Sequence, residues 1–384
     1  MAQTSIYNMK KICIIFLGKF AFDARCINMA EALLEKKNVR LSIISLSDEK
    51  KNITKFNGIK FYSLAISNIK IFKYYDFYKK AKKIVQKNSF DCIIASDLYS
   101  LASACQSKKN INIVYDCREI YSELEAHISK PLYRWFWKKY EKYYLSKVNN
   151  VMVTAPSDEF VLRKIHQLTD LKDKKHPNFH TIYNYPKKTV LIRNNLLRQK
   201  FQISEDCKII LYQGVIQKGR GIDKLIKLIS REKTFVAVII GDGNAKKDYI
   251  RAVQKKQLIK KCFFMDAVPY GELFKYTASA DIGWLLIDKK SKSNQLALPN
   301  KLFEYFIMGL PIITSDVNNM AEIVRKYQAG IVVNNENDVD EYSAAALSLA
   351  NSHLPPDNIH DFANTEFSWD GNKNIKQKFL NIII

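Results

Sequence analysis

The sequence contains no long apolar segment. No run of apolar residues approaches the roughly 18 that a helix needs to cross a bilayer, so no membrane-spanning helix is expected. The apolar residues after Lys10 and Lys11 resemble a signal-peptide core, but Lys19 and Asp23 interrupt them and no small-residue cleavage site follows. We therefore expect this run to form the first strand of the fold.

Closely spaced cysteine pairs are also missing. The chain has 7 cysteines, an odd number, and no two of them are spaced as Cys-x-x-Cys. This pattern favours reduced thiols in a cytoplasmic protein and argues against structural zinc. No internal repeat or low-complexity stretch stands out. The 384 residues, 47% of them hydrophobic, suit two domains of about 190 residues each.

Acidic residues are few beside the basic ones. The chain has 61 Lys and Arg against 38 Asp and Glu, a formal net charge of +23. Residues 1–190 hold 34 of the basic and 17 of the acidic residues, so the surplus there is +17. The N-terminal half is therefore expected to meet an anionic partner.

The segment from Pro299 to Thr314 predicts one helix with both ends marked. Asn300 suits the N-cap, Gly309 the left-handed position after the helix, and Pro311 prevents continuation. An apolar stripe is expected to face a sheet; it consists of Leu302, Phe303, Phe306 and Ile307. The start of such a helix offers free backbone N–H groups and the positive end of the helix dipole, which suit phosphate.

Lys301 and Glu304 share another face near the start of this helix. Lys301 adds a positive charge for a diphosphate, and Glu304 has two acceptor oxygens for the two hydroxyls of a ribose. A nucleoside diphosphate fits this pair, although a capped amphipathic helix with two solvated charges is the alternative for the helix considered alone.

Loops rich in glycine follow predicted strands in the same half. The apolar run 208–212 leads into a loop with Gly214, Gly219 and Arg220, and the run 235–240 leads into Gly241. Glycines let the backbone approach a ligand closely, and an arginine can bind phosphate oxygens with two parallel hydrogen bonds. Further strands are predicted at 262–265, 282–287 and 312–314. Strands that alternate with helices at this spacing predict a doubly wound parallel sheet with its ligand crevice at the carboxyl ends of the strands.

Residues 208–341 resemble the donor domain of the retaining glycosyltransferases of family four. The matching segments are YQGVIQKGRGIDKLI, VIIGDG, FMDAVPYGEL, YTASADIGWLLI, LPNKLFEYFIMGLPIITSD and AEIVRKYQAGIVV, and FSWD at 367–370 resembles the family's tail signature. The resemblance implies the GT-B fold, an α/β architecture of two Rossmann-like doubly wound parallel-sheet domains that face each other across a cleft.

The resemblance is thinner over the first half. Strands are expected at 11–16, 39–45, 90–97 and 111–119, with a helix at 27–36; the segments 151–157 and 182–186 match the last strand of the family's N-domain and the linker entry. We expect an acceptor-binding domain at 1–188, a linker at 189–206, a donor-binding domain at 207–366, and a C-terminal helix at 367–384 that crosses back to the first domain.

The resemblance and the motifs together assign the site. Arg220, Lys301 and Arg118 are predicted to be catalytic. Donor binding is predicted for Gly18, Gly214, Gly219, Gly241, Val268, Pro299, Asn300, Leu302 and Glu304. No metal ligands and no cofactor are predicted beyond the nucleotide-sugar substrate, since no Asp-x-Asp triplet lies near these segments.

Two positions depart from the family pattern. Leu296 stands where many members have a glutamate eight residues before Glu304, so contacts to the transferred sugar are expected elsewhere, for example from backbone N–H groups at 297–301. Arg118 stands where the family has a histidine of the N-domain, which puts a fixed cation in place of a neutral group. Arg118 has a second interpretation, pairing only with Glu119 or Asp116.

The predicted activity is transfer of a sugar from a nucleotide-diphosphate sugar, with UDP favoured and GDP possible, to a hydroxyl of a saccharide acceptor. The resemblance implies retention of configuration and no requirement for metal. The alternatives are a nucleotide-sugar 2-epimerase of the same fold and a non-catalytic nucleotide-sugar or glycan-binding protein. A nucleic-acid-binding protein would also explain the charge, but the basic residues follow no recognition module.

Aromatic residues alternate with lysines in two segments of the basic half, 69–87 and 130–147. Basic, aromatic, amphipathic helices are suited to lie on an anionic leaflet. We expect a peripheral protein on the inner face of the plasma membrane, held mainly through 69–87, with a polyprenyl-linked acceptor. The alternative is that the aromatic residues of 130–147 pack beneath the sheet of the first domain.

Overall fold

The computed structural model describes residues 9–48, 53–54, 56–67, 69–107, 111–124, 127, 129–168, 176–289, 292–352 and 355–384. These residues form two compact units. The first comprises the described residues of Met1–Asn184 together with Asn374–Ile384, and the second comprises those of Tyr185–Lys373. Each unit is built around one parallel sheet.

The strands, numbered in chain order, are β1 (Lys10–Ile15), β2 (Val39–Leu46), β3 (Ile59–Leu64), β4 (Cys92–Ala95), β5 (Asn112–Cys117), β6 (Asn150–Val153), β7 (Asn178–Thr181), β8 (Lys208–Gln213), β9 (Phe235–Ile240), β10 (Cys262–Met265), β11 (Ile282–Leu285), β12 (Ile312–Ser315) and β13 (Gly330–Val333). Most interior strands are continuous apolar runs, such as the fully buried β9, because helices cover both faces of a doubly wound sheet.

The helices are α1 (Ala24–Leu34), α2 (Lys70–Lys87), α3 (Leu101–Ala104), α4 (Pro131–Leu145), α5 (Pro156–His166), α6 (Leu196–Phe201), α7 (Ile222–Arg231), α8 (Lys246–Lys255), α9 (Tyr270–Thr277), α10 (Lys292–Gln295), α11 (Asn300–Ile307), α12 (Asn318–Tyr327), α13 (Val339–Asn351), α14 (Pro356–Glu366) and α15 (Ile375–Ile383). Short 3-10 helices lie at Phe20–Phe22, Leu98–Ser100 and Tyr121–Glu123. Within the described ranges, no helix is both long enough and apolar enough to cross a membrane.

The order of the strands reverses once in each sheet. The first has the order β3-β2-β1-β4-β5-β6-β7 and the second the order β10-β9-β8-β11-β12-β13, with every pairing parallel. The order reverses between β1 and β4 in the first unit and between β8 and β11 in the second. Ligands of such sheets bind outside the carboxyl ends of the strands at this point of reversal. The predicted architecture of two doubly wound parallel sheets is confirmed.

The last helix, α15, belongs to the first unit. Lys10 Nζ donates to the carbonyl of Ile384 over 3.3 Å, and Asn112 Nδ2 donates to the carbonyl of Ile382 over 3.2 Å. Ile375, Phe379, Leu380 and Ile383 are the buried residues of this helix. The chain therefore leaves the first unit, forms the second, and returns.

Three predicted element bounds are corrected. The first helix begins at Ala24 rather than at 27, because Asp23 caps it by accepting the N–H of Cys26 over 2.8 Å. The strand from 282 ends at Leu285, since the N–H of Ile287 leaves the ladder and donates to Ser315 Oγ. Helix α11 includes Asn300, and Pro299 is the N-cap, because its φ of −74° and ψ of 145° suit the extended residue before a helix.

Helix α11 is buried on every side rather than along one stripe. All residues from Lys301 to Ile307 are buried, including the two charged ones. Gly309 ends the helix at a φ of +64°, and the N–H of Leu310 returns to the carbonyl of Tyr305 over 3.0 Å. The helix lies inside the second unit, so its charged side chains are removed from bulk water.

Candidate functional site

Helix α11 and the carboxyl end of β8 meet where the order of the second sheet reverses. Gln213, the last residue of β8, donates from Nε2 to Glu304 Oε2 over 2.7 Å. The backbone N–H of Gln213 donates to the hydroxyl of Tyr305 over 3.1 Å, and that hydroxyl donates to the carbonyl of Leu211. These contacts bring the start of the helix to the crevice that the topology predicts for a ligand.

Glu304 is a buried carboxylate with a neutral partner. Its side chain accepts from Gln213, whose Oε1 in turn accepts from Thr277 Oγ1 over 2.8 Å. Burial raises the pKa of Glu304 to about 7, against the opposing effects of the Gln213 hydrogen bond and the charge of Lys301. Near neutral pH this group can therefore be either an acceptor for two hydroxyls or a protonated acid.

Lys301 is a buried cation without a carboxylate partner among the described residues. Its Nζ lies 3.7 Å from the centre of the Tyr212 ring, close enough for a cation–π interaction of about 2 kcal/mol when it is desolvated. Burial lowers the pKa of Lys301 well below its ordinary value, Arg220 lowers it further, and Glu304 opposes both. A ligand phosphate would supply the anion that this ammonium lacks.

Arg220 lies in the loop between β8 and α7, near both Tyr212 and Lys301. Its charge acts on the pKa of each of those residues. The side chain of Arg220 is half-buried. With the Gln217 amide oriented so that its oxygen faces Arg220, that oxygen accepts from Arg220 Nε and Nη2 over 3.0 and 3.2 Å. Two cations and one acid, all from the sequence prediction, are thus brought together in the second unit.

Two glycine loops, 214–221 after β8 and 241–243 after β9, are shaped by close backbone contacts. A Cβ on Gly241, which has a φ of +150°, would lie 1.9 Å from the carbonyl oxygen of Gly214. A Cβ on Gly214, with a φ of +116°, would meet no atom within 4 Å. Gly219, with a φ of +79°, accepts from the N–H of Asp288 over 3.0 Å. Gly214 therefore borders open space, whereas Gly241 packs closely against the carbonyl oxygen of Gly214.

The remaining predicted donor residues of the second unit lie around these loops and helix α11. Val268 is half-buried in the loop after β10, and Lys246 ties the ends of β9 and β10 by donating to the carbonyls of Gly241 and Met265. Pro299 and Asn300 lie at the start of α11. Leu302 has no exposed surface, so its side chain belongs to the core. Their contacts with a donor stay predictions.

Gly18 and Arg118 belong to the first unit. Arg118 donates from Nε to Asp116 over 2.9 Å, from Nη1 to Asp23 over 2.5 Å and from Nη2 to Cys26 Sγ over 3.1 Å. The pairing with Asp116 that we considered is present, and the catalytic role of Arg118 stays a prediction. Gly18 accepts from the N–H of Leu46 over 2.9 Å.

The sequence analysis missed Tyr212, Gln213 and Thr277 as members of the site. Tyr212 and Gln213 are the last two residues of a strand that points at the crevice, and they directly precede Gly214. That position could have identified them, since the carboxyl end of a strand carries ligand contacts in this architecture. Thr277, at the end of α9, had no local signal. Among the described residues, no three His, Cys, Asp or Glu side chains are grouped as metal ligands.

Comparison with known proteins finds a family match within the second unit. The family model described as Glycosyl transferases group 1 matches residues 194–364. The O-antigen biosynthesis glycosyltransferase WclY of Escherichia coli is 25% identical over 126 residues, which are 33% of this chain and 33% of that protein. This chain thus matches about a third of the length of that curated relative.

Two examples represent the solved structures that resemble nearly the whole chain. Sucrose-phosphate synthase from Thermosynechococcus elongatus has a TM-score of 0.74 at 16% identity, over 97% of this chain and 98% of that chain. Anabaena Alr3699/HepE in complex with UDP-glucose has a TM-score of 0.73 at 12% identity, again over 97% and 98%. At such identities the likeness shows the fold alone. The chain therefore has the GT-B fold, and residues 194–364 match the family model of the glycosyl transferases group 1.

Proposed function

We propose that this protein transfers a sugar from a nucleotide-diphosphate sugar to a hydroxyl of a saccharide acceptor. One observation carries the proposal: Lys301 is a buried cation with no carboxylate partner in the described chain, next to Arg220 and at the start of a helix. Such a concentration of positive charge matches a diphosphate and is otherwise unfavourable in a protein interior.

The departing nucleoside diphosphate carries the negative charge that develops during transfer. Lys301 and Arg220 would stabilise that charge in a site from which water is largely excluded, where electrostatic interactions are strong. In the proposed reaction the acceptor hydroxyl forms the new bond to the sugar, and the nucleoside diphosphate leaves. The family resemblance favours retention by attack on the same face of the sugar, without a metal, with the departing phosphate taking the acceptor proton.

Glu304 supports recognition of the nucleoside. Its carboxylate lies one turn along α11 from Lys301 and can accept from both hydroxyls of a ribose. We favour uridine as the base, with guanosine as the second choice, because the resembling HepE structure contains UDP-glucose. The relative WclY acts in O-antigen biosynthesis, which favours surface polysaccharide as the product here too.

The acceptor is proposed to be lipid-linked because the first unit exposes an apolar and basic surface. On α4, Leu132 is 82% exposed and Trp135 is 60% exposed, whereas Trp137 is buried. On α2, Phe72 and Tyr75 are also exposed. The Tyr74 ring of α2 contacts the Trp137 ring of α4, with 6.2 Å between the ring centroids. The lysines of α2 and α4 that are exposed include Lys79, Lys80, Lys83, Lys87, Lys138, Lys139 and Lys142.

An anionic leaflet suits that surface, which we name the α2–α4 surface. The aromatic side chains can enter the headgroup region, while each nearby lysine contributes about 1 kcal/mol of attraction to acidic lipids. Contact with the inner face of the plasma membrane would place the protein beside polyprenyl-linked saccharides. Both α2 and α4 contribute, whereas the sequence favoured 69–87, in which the side chains of 70 and 71 lie outside the described residues.

A thermal-shift panel of nucleoside diphosphates and their sugars tests the proposed donor. A selective rise in melting temperature with UDP or GDP compounds is expected, followed by sugar transfer to a lipid-linked saccharide. Product formation without any acceptor would favour the 2-epimerase. Binding without transfer or hydrolysis would favour a nucleotide-sugar-binding protein, and no response to any nucleotide would refute the donor site.

A further inference from the structure

Two opposite charges on α11 are close in sequence but do not pair. Lys301 and Glu304 are three residues apart, a spacing at which helical side chains ordinarily meet. Both are buried, where the attraction between opposite charges is strong. Nevertheless, the Lys301 ammonium lies over an aromatic ring and the Glu304 carboxylate accepts from an amide.

The last two residues of β8 provide these alternative partners. The Tyr212 ring is 3.7 Å from Lys301 Nζ, and Gln213 Nε2 is 2.7 Å from Glu304 Oε2. Both partners are themselves held in place. The hydroxyl of Tyr212 donates to the carbonyl of Val215 over 2.6 Å, and Thr277 Oγ1 donates to Gln213 Oε1, which leaves the Gln213 NH₂ group to face Glu304.

We propose that Tyr212 and Gln213 are positioning residues that keep Lys301 and Glu304 apart, so that the ammonium stays available for a ligand phosphate and the carboxylate for a diol. The proposal rests on the proposed function, since it explains how the same site is kept ready for its donor. Without these two residues, Lys301 and Glu304 would neutralise each other inside the site.

The physical reason is that a neutral partner stabilises a buried charge without competing for the ligand. An ion pair between Lys301 and Glu304 in the empty site would have to be broken before a phosphate could bind. Breaking a buried ion pair costs free energy. A ring face stabilises the ammonium but contributes no anion. An amide N–H likewise satisfies the carboxylate without adding positive charge.

The charged and titratable groups around Lys301 agree with this arrangement. Arg220 from the glycine loop after β8 and Glu304 from α11 are the charged groups that act on it, and Tyr212 contacts it directly. Arg220 repels the ammonium, so no other charge among these groups replaces Glu304 as a counter-ion. The first full counter-charge to reach Lys301 would therefore be that of the ligand.

Calorimetric titration of the full-length protein with inorganic pyrophosphate tests the proposal, because this probe has the charge but no ribose. Gln213→Leu frees Glu304 to pair with Lys301 and is expected to weaken pyrophosphate binding about ten-fold. The double variant Gln213→Leu with Glu304→Gln is expected to regain wild-type affinity, because the competing anion is gone. A purely structural loss would not be restored by the second substitution, and that result would overturn the proposal.

Tyr212 is tested independently by the pH dependence of pyrophosphate binding. Tyr212→Leu removes the ring, so Lys301 should lose its proton at lower pH and binding should fail earlier as the pH rises. Tyr212→Phe keeps the ring and should keep the wild-type profile, although it loses the bond to Val215. Equal pH profiles for all three proteins would contradict the role of the ring. Circular dichroism identifies any variant that does not fold. If the variants of one of the two residues do not fold, the variants of the other residue test the proposal.

The same titrations separate this inference from the proposed function. If the wild-type protein binds neither pyrophosphate nor UDP, the donor site itself is refuted. Wild-type binding that persists unchanged in Gln213→Leu and Tyr212→Leu would leave the donor site standing and would refute only the positioning role.

Discussion

Arg118 donates from Nε to Asp116 over 2.9 Å, and the same carboxylate also pairs with the fully buried Arg25. Burial raises the pKa of Asp116, but the charges of Arg25 and Arg118 overcome this effect and hold the pKa below its ordinary value. Arg118 is therefore part of an ion network at the carboxyl end of β5.

Arg118→Ala is expected to lower the free energy of unfolding by about 2–4 kcal/mol, because it removes one partner from a buried carboxylate. Chemical denaturation measures the loss, with Arg251→Ala as the control because Arg251 forms an exposed pair with Asp248. Asp116, whose pKa is lowered in the fold, contributes stability that disappears as the pH falls through that value. In Arg118→Ala this loss should begin at higher pH. A variant that is as stable as the control but has lost activity would instead indicate a catalytic Arg118.

Removal of any of the three charged groups of the candidate site should impair the proposed reaction. Arg220→Ala, Lys301→Ala and Glu304→Ala are each expected to reduce kcat/KM ten-fold or more, a loss of about 1.4 kcal/mol in transition-state stabilisation. The exposed Lys326 offers a matched control, and Lys326→Ala should behave like the wild type. Undiminished turnover by the Lys301 variant on the true substrates would remove Lys301 from the site.

Glu304 should make nucleoside binding depend on pH. With its pKa of about 7, affinity for the proposed UDP donor is expected to fall as the pH drops below that value and the carboxylate gains a proton. The wild-type protein should show this dependence in calorimetric titration, and Glu304→Gln should not.

Because a raised carboxyl pKa makes the folded state bind more protons than the unfolded one, Glu304 destabilises the fold increasingly as the pH rises from about 4.5 to about 7. Glu304→Gln should therefore have a higher melting temperature at pH 8 than the wild type. A lower melting temperature would show that the carboxylate is needed structurally.

Two glycine substitutions should differ in their effect. Gly241→Ala brings a Cβ within 1.9 Å of the Gly214 carbonyl oxygen, so it is expected to shift the loop and destabilise the fold by about 2 kcal/mol or more. Gly214→Ala has a similar strained φ but open space around the new Cβ, so it should cost less. Thermal denaturation compares the two. Equal melting temperatures would show that the close contact contributes nothing to stability.

The α2–α4 surface should bind acidic vesicles. Leu132→Glu and Trp135→Glu are each expected to weaken co-sedimentation with phosphatidylglycerol-containing vesicles about ten-fold, because each removes apolar area and adds repulsion. Phe160→Glu is the control, since Phe160 is 68% exposed on α5 of the same unit. Pure phosphatidylcholine vesicles should bind weakly. No difference between the α4 variants and the control would refute this surface as a membrane contact.

Much of the second unit could be predicted from local sequence. Interior strands of a parallel sheet are continuous apolar runs, and the glycines that follow β8 and β9 mark the loops at their carboxyl ends. The predicted helix after Pro299 is present, and Gly309 follows its end in the left-handed conformation, as its turn residues indicated. These features depend on residues that are neighbours in the chain, so the sequence pattern was sufficient to find them.

The partners of the charged residues could not be predicted in the same way. Gln213 and Glu304 are separated by 91 positions, and Arg118 and Asp23 by 95, so no local pattern connects them. The burial of α11 on all sides was also missed, because the sequence pattern predicted one apolar stripe with Lys301 and Glu304 on a different face.

The sequence by itself determined the order of strands and helices, the glycine loops, the basic charge of the first half and the residues that could hold a diphosphate. Only the tertiary structure decided which charges are buried and which partners they have. The reason is physical: apolar periodicity and turn chemistry act over a few residues, whereas the protonation and pairing of Lys301, Glu304 and Arg118 depend on groups that folding brings together from distant parts of the chain.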